Sequence, residues 1–500
     1  MADIEEPEKR DSREKMKRNI TVFRGIAFVV GTVMGTGIFI TPNSITQRVN
    51  APATSILVWL TGGVMAAIGG LVFCELGTMI PVSGAEVAYI SRIFGRQPAF
   101  LSVWLIHFLL GGMRLAIGAL GFAQYFWSLF YEDPSQVNWW LDKAVTLTVS
   151  YLIVVLVTCK PTLILKSIVL FTAAKFTATF LIIGAGLYYL CKGHTENIGV
   201  GFQNTNTDPK DWGDAWNGVI WSYMGWEEIC CVASEIQNPQ KNIPIIVLGS
   251  ISIITGLYLM TVISFHIVLP LEEMVESSAV ASKFGEITMG ESGKVLLALA
   301  VVVSTLGNLQ CSFITNSRYI HSGAAEGLLP SCFGLVSKKF HTPLVSILYC
   351  CLVTTVFILI GGIDNLIGSA SFTRFPFFVL CSAGVFVMRR SHPDLHRPYR
   401  VPLIFPALFI CFGLFVFITP FLNESWLVSL VWVVVLLLGV PIYHITLGNV
   451  LNLQFLAKLN SSSTALFVRL FQSSTRSRVS TFQQALAAVL DGTEDKYGRN

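Results

Sequence analysis

Residues 31–39 read GTVMGTGIF, and residues 216–228 read WNGVIWSYMGWEE. Both stretches lie within long apolar segments and carry glycine where a membrane-spanning helix would otherwise continue. A glycine inside a helix costs about 1 kcal/mol relative to alanine, and glycine also permits positive φ angles. Taken alone, the first stretch is explained equally well by a broken helix and by close packing of helices through small residues.

The second stretch favours broken helices. Gly225 stands between aromatic residues and is followed by Glu227 and Glu228. Backbone groups that are freed deep in a bilayer are tolerated only where they line a cavity or are buried in protein. The two stretches open corresponding five-span halves of the chain, which is typical of an inverted repeat with a binding site near the membrane midplane.

The composition predicts a membrane protein. Hydrophobic residues make up 53% of the 500 residues and charged residues 13%, whereas about a quarter of the residues in soluble proteins are charged. Segments apolar enough to cross about 30 Å of hydrocarbon recur along the chain. The twelve predicted spans, numbered one to twelve, are 20–48, 54–80, 97–130, 143–159, 163–191, 214–237, 244–269, 295–320, 342–361, 365–388, 402–421 and 425–445. We therefore expect an all-α polytopic membrane protein whose first and sixth helices are broken.

Basic residues set the expected orientation. The predicted inner loops hold twelve Lys and Arg residues, and the outer loops and span ends hold six. This positive-inside bias puts both termini in the cytosol. The predicted organisation is a cytosolic tail at 1–19, a transporter domain at 20–445 with repeat one at 20–191, repeat two at 214–388 and spans eleven and twelve at 402–445, and a cytosolic tail at 446–500.

Several other classes of function find no support in the sequence. The net charge of +4 is small and scattered, so it indicates no nucleic-acid surface. The eleven cysteines form no metal-binding spacing, and the motifs HExxH and GxSxG and a cofactor-binding glycine loop are absent. The sequence therefore predicts neither an enzyme nor a bound metal or cofactor.

Seven motifs carry a resemblance that covers residues 20–445. They are GTGIF at 35–39, CELGTMIPVSGAEVAYI at 74–90, AAK at 173–175, WSYMGW at 221–226, SEIQNPQKNIP at 234–244, SGAAEGLLP at 322–330 and RPYRVP at 397–402. In these motifs the chain resembles the L-type amino acid transporters, the light-chain branch of the amino acid–polyamine–organocation superfamily. The resemblance implies a leucine-transporter-type fold and a place in the plasma membrane.

The resemblance also implies a binding site at the two breaks. The substrate carboxylate would be held by Gly35, Thr36 and Gly37. The ammonium would face backbone carbonyls near Gly225 and at the end of the first half-helix, which are those of Thr32, Val33, Trp221, Ser222 and Met224. Trp221 stands where the family has an aromatic gate, and Met224 would help to line an apolar side-chain pocket.

Lys175 lies within the fifth span, where a charged side chain is energetically expensive. In the resemblance it stands where related sodium-coupled carriers bind a cation, so its ammonium replaces the ion. This implies sodium-independent transport, with Lys175 connecting the first and eighth spans and bonding to Ser304 or Thr305. The alternative is a lysine that extends to the membrane interface.

Other polar residues within the spans receive simpler interpretations. Glu75 is expected to form a structural ion pair, whereas Glu227 fits either an ion pair or a contact to substrate. Arg374 occurs where the family suggests a polar or aromatic residue, so the side-chain pocket is expected to differ from that of relatives. His107 and His266 are expected to be ordinary buried or interfacial histidines.

The resemblance implies a sodium-independent exchanger of large neutral L-amino acids, branched or aromatic, that works by alternating access. A proton-coupled or cationic amino acid carrier of the same fold is the main alternative, and a channel or nutrient-sensing receptor is a weaker one. Heteromeric family members are joined to a single-span glycoprotein heavy chain through a cysteine between spans three and four. Residues 131–143 contain no cysteine, so either a heavy chain associates noncovalently or the chain works alone.

Overall fold

A computed structural model gives the fold of most of the chain. The predicted tails at 1–19 and 446–500 lie outside the described residues, apart from residue 446 and two short segments. The structure describes residues 20–80, 84–132, 134–159, 161–325, 327–337, 340, 342–422, 426–446, 462–468 and 473–474.

The first five spans are helical, and several helices begin with proline, whose fixed φ angle suits the first helical turn. Span one is divided into Val22–Val33, Gly37–Ile40 and Pro42–Val49, and span three contains a widened π-helical turn. The other elements of this half are span two (Pro52–Met79), a loop helix (Ala85–Phe94), span three (Arg96–Ser102, Val103–Leu109 and Gly111–Trp127), a 3-10 turn (Pro134–Gln136), span four (Trp139–Cys159), span five (Pro161–Cys191) and a short helix (Glu196–Gly199).

The second half begins with a divided helix as well. Span six consists of an α-helix, Pro209–Tyr223, and a 3-10 helix, Trp226–Glu235. The remaining elements are span seven (Pro239–Val268), a short helix (Leu271–Glu276), the segment Val280–Ala325, which is interrupted at Gly290 and then forms span eight, a 3-10 turn (Ser331–Gly334), span nine (Leu344–Ile360), span ten (Ile363–Ser391), span eleven (Ile404–Ile418 and Thr419–Leu422), span twelve (Trp426–Thr446) and two paired two-residue strands (Val336–Ser337 and Ser473–Ser474).

The prediction of a polytopic helical membrane protein is confirmed. Within the part of the chain that the structure describes, ten helices are long and apolar enough to cross a membrane. Span nine is apolar but has only 17 residues, and span six is divided into two shorter pieces. The number of membrane crossings, twelve, stays a prediction.

Equivalent spans of the two halves pack against each other. Span two packs on span seven, span three on span eight, and span four on span nine, while spans one and six meet at their breaks. This pairing of helices five apart is the pattern of the inverted repeat. Span twelve lies at the periphery, since only 11% of its apolar window is buried within the protein. Its remaining apolar surface suits contact with lipid.

A buried carboxylate joins spans two and ten. Glu75 is 1% exposed, and its Oε1 accepts a hydrogen bond of 2.9 Å from Arg389 Nε. Its Oε2 accepts hydrogen bonds from Arg389 Nη2 and, at 2.8 Å, from the Val401 N–H. The predicted ion pair of Glu75 is confirmed, and its role is to connect two spans with the segment that follows span ten.

We expect Glu75→Ala to destabilise the fold without touching either helix break. Removal of one partner leaves Arg389 and the Val401 N–H without their acceptor, a change that costs about 3 kcal/mol or more for a buried pair. The melting temperature of the purified protein in detergent should fall clearly. Glu196→Ala is the matched control because Glu196 is exposed, and equal melting temperatures for the two variants would contradict the structural role of Glu75.

Candidate functional site

The first span departs from the helix at Met34 and Gly35, although the Met34 N–H still donates to the Val30 carbonyl at 3.0 Å. Met34 has φ −68° and ψ 68°, which is outside the helical region, and the Gly35 N–H turns back to donate to the Val33 carbonyl at 2.6 Å. A new helix begins at Gly37. The first N–H groups of any helix have no acceptor within that helix, and they carry its positive dipole end. The break therefore presents backbone donors deep in the protein.

The sixth span breaks at Met224 and Gly225. Met224 is extended, with ψ 144°, and Gly225 has φ 116°, a left-handed conformation that favours glycine. The chain then continues as a 3-10 helix from Trp226. The Glu227 carboxylate accepts a hydrogen bond from the Gly225 N–H at 3.0 Å, so this acid caps the break from within its own segment.

The two breaks touch each other, and small residues make the contact possible. A Cβ atom added to Gly37 would lie 2.6 Å from the Cα of Ser222, which is too close for any real side chain. A Cβ atom on Gly225 would lie 3.2 Å from the Thr32 side chain. Glycine at both positions therefore allows the main chains of spans one and six to approach directly.

Tyr258 of span seven ties the two breaks together. It is fully buried, and its hydroxyl lies 3.0 Å from the Val33 carbonyl and 3.1 Å from the Ser222 carbonyl. The Val33 carbonyl also accepts from the Gly35 N–H, so both of its lone pairs are in use. Tyr258 is not among the site residues predicted from the sequence. A single tyrosine in an apolar span nevertheless indicates a buried hydroxyl group that needs a hydrogen-bond partner.

The structure brings the predicted site residues together. Gly35, Thr36 and Gly37 occupy the first break and its new helix, and Thr32 and Val33 precede them. The residues contributed by span six are Trp221, Ser222, Met224 and Gly225. Trp221 and Met224 are half-buried, while Ser222 is buried and bonds through its hydroxyl to Thr41 at 2.9 Å.

An apolar cavity lies beside the sixth break. It is small, with a volume of about 20 Å³, room for about one water molecule, between spans two, six, ten and eleven. Its walls include Met65, Met224, Trp226, Phe375 and Phe412. The predicted lining residue Met224 therefore faces an apolar space.

Lys175 bonds to span one close to its break, as predicted. It does not form the predicted hydrogen bond to span eight. Its Nζ donates to the Gly31 carbonyl at 3.0 Å, and the side chain is only 4% exposed. The predicted hydrogen bond to Ser304 or Thr305 is absent. The Ser304 hydroxyl has no hydrogen-bond partner among the described residues, and the Thr305 hydroxyl donates to the Val302 carbonyl of its own helix at 2.8 Å.

Comparison with known proteins identifies the family. The sequence profile of the amino acid permease family matches residues 20–457, most of the chain. The chain belongs to the amino acid permease family. The human cystine/glutamate transporter is 31% identical to the permease over 434 residues, which cover 86% of this chain and 85% of that protein.

The names of two further relatives indicate different substrate specificities. The mouse b(0,+)-type amino acid transporter 1 is 30% identical over 435 residues, covering 86% of the permease and 88% of that protein. The mouse large neutral amino acids transporter small subunit 2 is 29% identical over 436 residues, covering 86% and 81% respectively. The family predicted from the motifs is confirmed, and the permease is a multi-pass membrane protein of amino acid transport. Its relatives differ too much in name to fix the substrate.

A buried charge cluster lies next to the sixth break of the permease, and it consists of Glu86, Arg114, Glu227, Glu228 and Arg374. Arg374 Nη2 lies 3.1 Å from Glu86 Oε1 and 2.8 Å from Glu227 Oε1. Arg114 Nη1 lies 3.1 Å from Glu228 Oε1. The three carboxylates come from the loop helix and span six, and the two arginines from spans three and ten. This cluster could not be found from the sequence, because Glu86 is 288 residues away from Arg374.

We expect Gly37→Ala to abolish amino acid uptake by the permease. The new methyl group would meet the main chain at Ser222 and force spans one and six apart, which disrupts the contact between the two breaks. Uptake by cells should fall to background while the amount of protein at the membrane stays measurable. Gly184→Ala is the matched control, since a Cβ atom there meets nothing within 4 Å, and normal uptake by Gly37→Ala would contradict the importance of this contact.

Proposed function

We propose that the permease is a sodium-independent exchanger of large neutral L-amino acids, branched or aromatic, that works by alternating access. The observation that carries this proposal is the direct contact between the broken helices of spans one and six. A zwitterion needs donors for its carboxylate and acceptors for its ammonium, and two broken helices supply both at one place.

The amino acid head group would bind to the main chain. Its carboxylate would take the N–H donors of Thr36 and Gly37, at the positive end of the new helix, and that of Gly35 once its hydrogen bond to the Val33 carbonyl is released. Its ammonium would take carbonyls at the ends of the two outer pieces. Because the Val33 carbonyl already accepts two hydrogen bonds, a bound ammonium would replace the Tyr258 hydroxyl there. Trp221 would then close over the substrate as a gate.

The apolar surroundings of the sixth break suit a large neutral side chain in their chemistry, and the small cavity there would have to widen to admit one. Met224 borders an apolar cavity whose walls are mostly aromatic. The nearby guanidinium of Arg374 is paired with Glu86 and Glu227, and that of Arg114 with Glu228. Neither arginine therefore offers an uncompensated charge to an acidic side chain. Apolar contact would supply the affinity for branched or aromatic side chains.

Lys175 supports sodium independence. Its ammonium already donates to the Gly31 carbonyl next to the break. A fixed positive charge at this point neutralises the carbonyl end of the half-helix, which a sodium ion would otherwise do. Transport would then need no cation gradient, and exchange of one neutral amino acid for another would move no net charge.

The proposal extends to partner and location. One relative is named a small subunit, which supports a heavy-chain partner for the permease. Residues 131–143, between spans three and four, contain no cysteine. A heavy chain would therefore associate noncovalently, or the permease would work alone. We place it in the plasma membrane with both termini in the cytosol.

Exchange can be tested with the purified permease in liposomes that are preloaded with single amino acids. We expect entry of labelled leucine or phenylalanine to be several-fold faster into liposomes that contain leucine than into empty ones. Replacement of sodium by choline should leave the rate unchanged. Uptake of arginine or glutamate above that of leucine would refute the substrate class, and equal entry into loaded and empty liposomes would refute exchange.

The role of Lys175 is tested by Lys175→Ala. Loss of the ammonium leaves the Gly31 carbonyl without its donor and removes the positive charge beside the break. Uptake should fall by about 100-fold, equivalent to roughly 3 kcal/mol, since the charge would be missing in every state that binds substrate. Lys192→Ala, at the exposed end of the same helix, should transport normally. Equal uptake by both variants would remove Lys175 from the mechanism.

A further inference from the structure

The buried charge cluster is not electrically balanced. It contains three carboxylates, Glu86, Glu227 and Glu228, and two guanidinium groups, Arg114 and Arg374. Lys175 bonds to the Gly31 carbonyl and forms no ion pair with these carboxylates within the described chain. Fully ionised, the cluster would carry one net negative charge in the protein interior, which is unfavourable because burial removes that charge from water. One further positive charge or one proton is needed.

Four polar atoms of the cluster and of the neighbouring His107 lack a hydrogen bond among the described residues. They are Glu86 Oε2, Glu227 Oε1, Arg374 Nε and His107 Nε2. Glu86 is 1% exposed and His107 is 5% exposed, and His107 Nε2 lies 3.8 Å from Glu86 Oε1, the oxygen that also contacts Arg374. Buried polar atoms without a partner are rare in folded proteins, and Glu86 Oε2 is an open position for a proton.

The third span is shaped to hold His107 at this point. His107 lies in the π-helical turn Val103–Leu109, a local widening that often occurs at functional sites. Its ring stacks on Tyr319 of span eight with centroids 4.0 Å apart. The ring therefore lies in a fixed position near Glu86, and His107 is buried, as expected from the sequence.

The described groups that act on the pair come from spans three, six, eight and ten. The charged neighbours are Arg374 from span ten, Glu227 and Glu228 from span six, and Arg114 from span three. The other titratable neighbours are thiols and a phenol, which are uncharged at neutral pH. They are Cys230 and Cys231 from span six, Tyr319 from span eight and Cys381 from span ten.

We propose that Glu86 and His107 form a proton-binding site, and that the proton held there allows the charge cluster to close. When the proton is bound, the cluster is neutral and its ion pairs join the loop helix, span six and span ten. When the proton leaves, one carboxylate is uncompensated, and the cluster is stable only if these elements separate and admit water. Transport then slows as the pH rises, because the cluster must close again in every cycle.

This proposal rests on the permease being a transporter, but not on which amino acid it carries. The test measures leucine exchange in liposomes with the same pH on both sides, between about pH 5 and about pH 8, the range in which histidine changes its charge. We expect wild-type exchange to fall with rising pH, by at most about tenfold per pH unit, the limit for one proton. Glu86→Gln keeps the shape of a protonated carboxyl group. This variant should retain the acid-side rate at every pH.

Histidine variants supply a second and independent measurement. His107→Gln should also flatten the pH profile, since the proton would lose one of its two holders. His266→Gln is the matched control, because His266 is equally buried and its Nε2 also lacks a partner, but it lies in span seven away from the cluster. Its variant should keep the wild-type profile. A steep profile in both Glu86→Gln and His107→Gln would overturn the proposal.

The remaining outcomes separate this proposal from the proposed function. Absence of saturable exchange in the wild-type protein at any pH would defeat the transporter assignment. Exchange with a flat wild-type pH profile would overturn the proton site and leave the exchanger in place. Glu86→Gln could instead lose arginine uptake while the pH profile of leucine exchange stays unchanged. The positive charge that balances the cluster would then come from a cationic substrate, and the proton site would be refuted.

Discussion

The fold depends on the direct contact between two interrupted helices. Gly37 and Ser222 meet main chain to main chain, and the hydroxyl of Tyr258 joins the carbonyls of Val33 and Ser222 across the same gap. A carbonyl without a donor is costly in an apolar interior, so an interruption is stable only if a neighbour supplies one. The single O–H proton of Tyr258 is shared between the two carbonyls, one on each side of the contact. Backbone groups that a straight helix would bond internally are instead bonded to other residues at the contact between the two breaks. A ligand can compete for those backbone groups.

Charged side chains surround this point, and they come from segments that are distant in sequence. Glu75 with Arg389 joins the end of span two to span ten, and Arg374 joins the loop helix to span six. Ion pairs at this depth are weak sources of stability, because desolvation offsets most of their attraction. These ion pairs instead fix the relative positions of the elements that they join. The packing of span two on span seven, span three on span eight and span four on span nine does not connect those elements. Movement of one bundle against the other would therefore proceed through these contacts.

The sequence was most informative where a residue type has one physical meaning. Glycines in apolar spans predicted the interruptions at Gly35 and Gly225, and hydropathy predicted the helices. The resemblance to a known family predicted the contact of Lys175 with span one. The sequence was least informative about side-chain pairs, since nothing local shows that Arg374 faces Glu86 rather than lipid. The partner of Lys175 in span eight was predicted wrongly for the same reason. Thr305 satisfies its hydroxyl within its own helix, an option open to any buried threonine.

The Gly225 N–H is capped by Glu227, a residue of the same short segment. A donor that relied on span one or span seven would be stripped of its partner each time the segment tilted away, and the bilayer would supply no replacement. Here donor and acceptor belong to the same short segment, so this hydrogen bond depends on neither span one nor span seven. The same carboxylate also contacts Arg374, so the break is linked to span ten by one side chain.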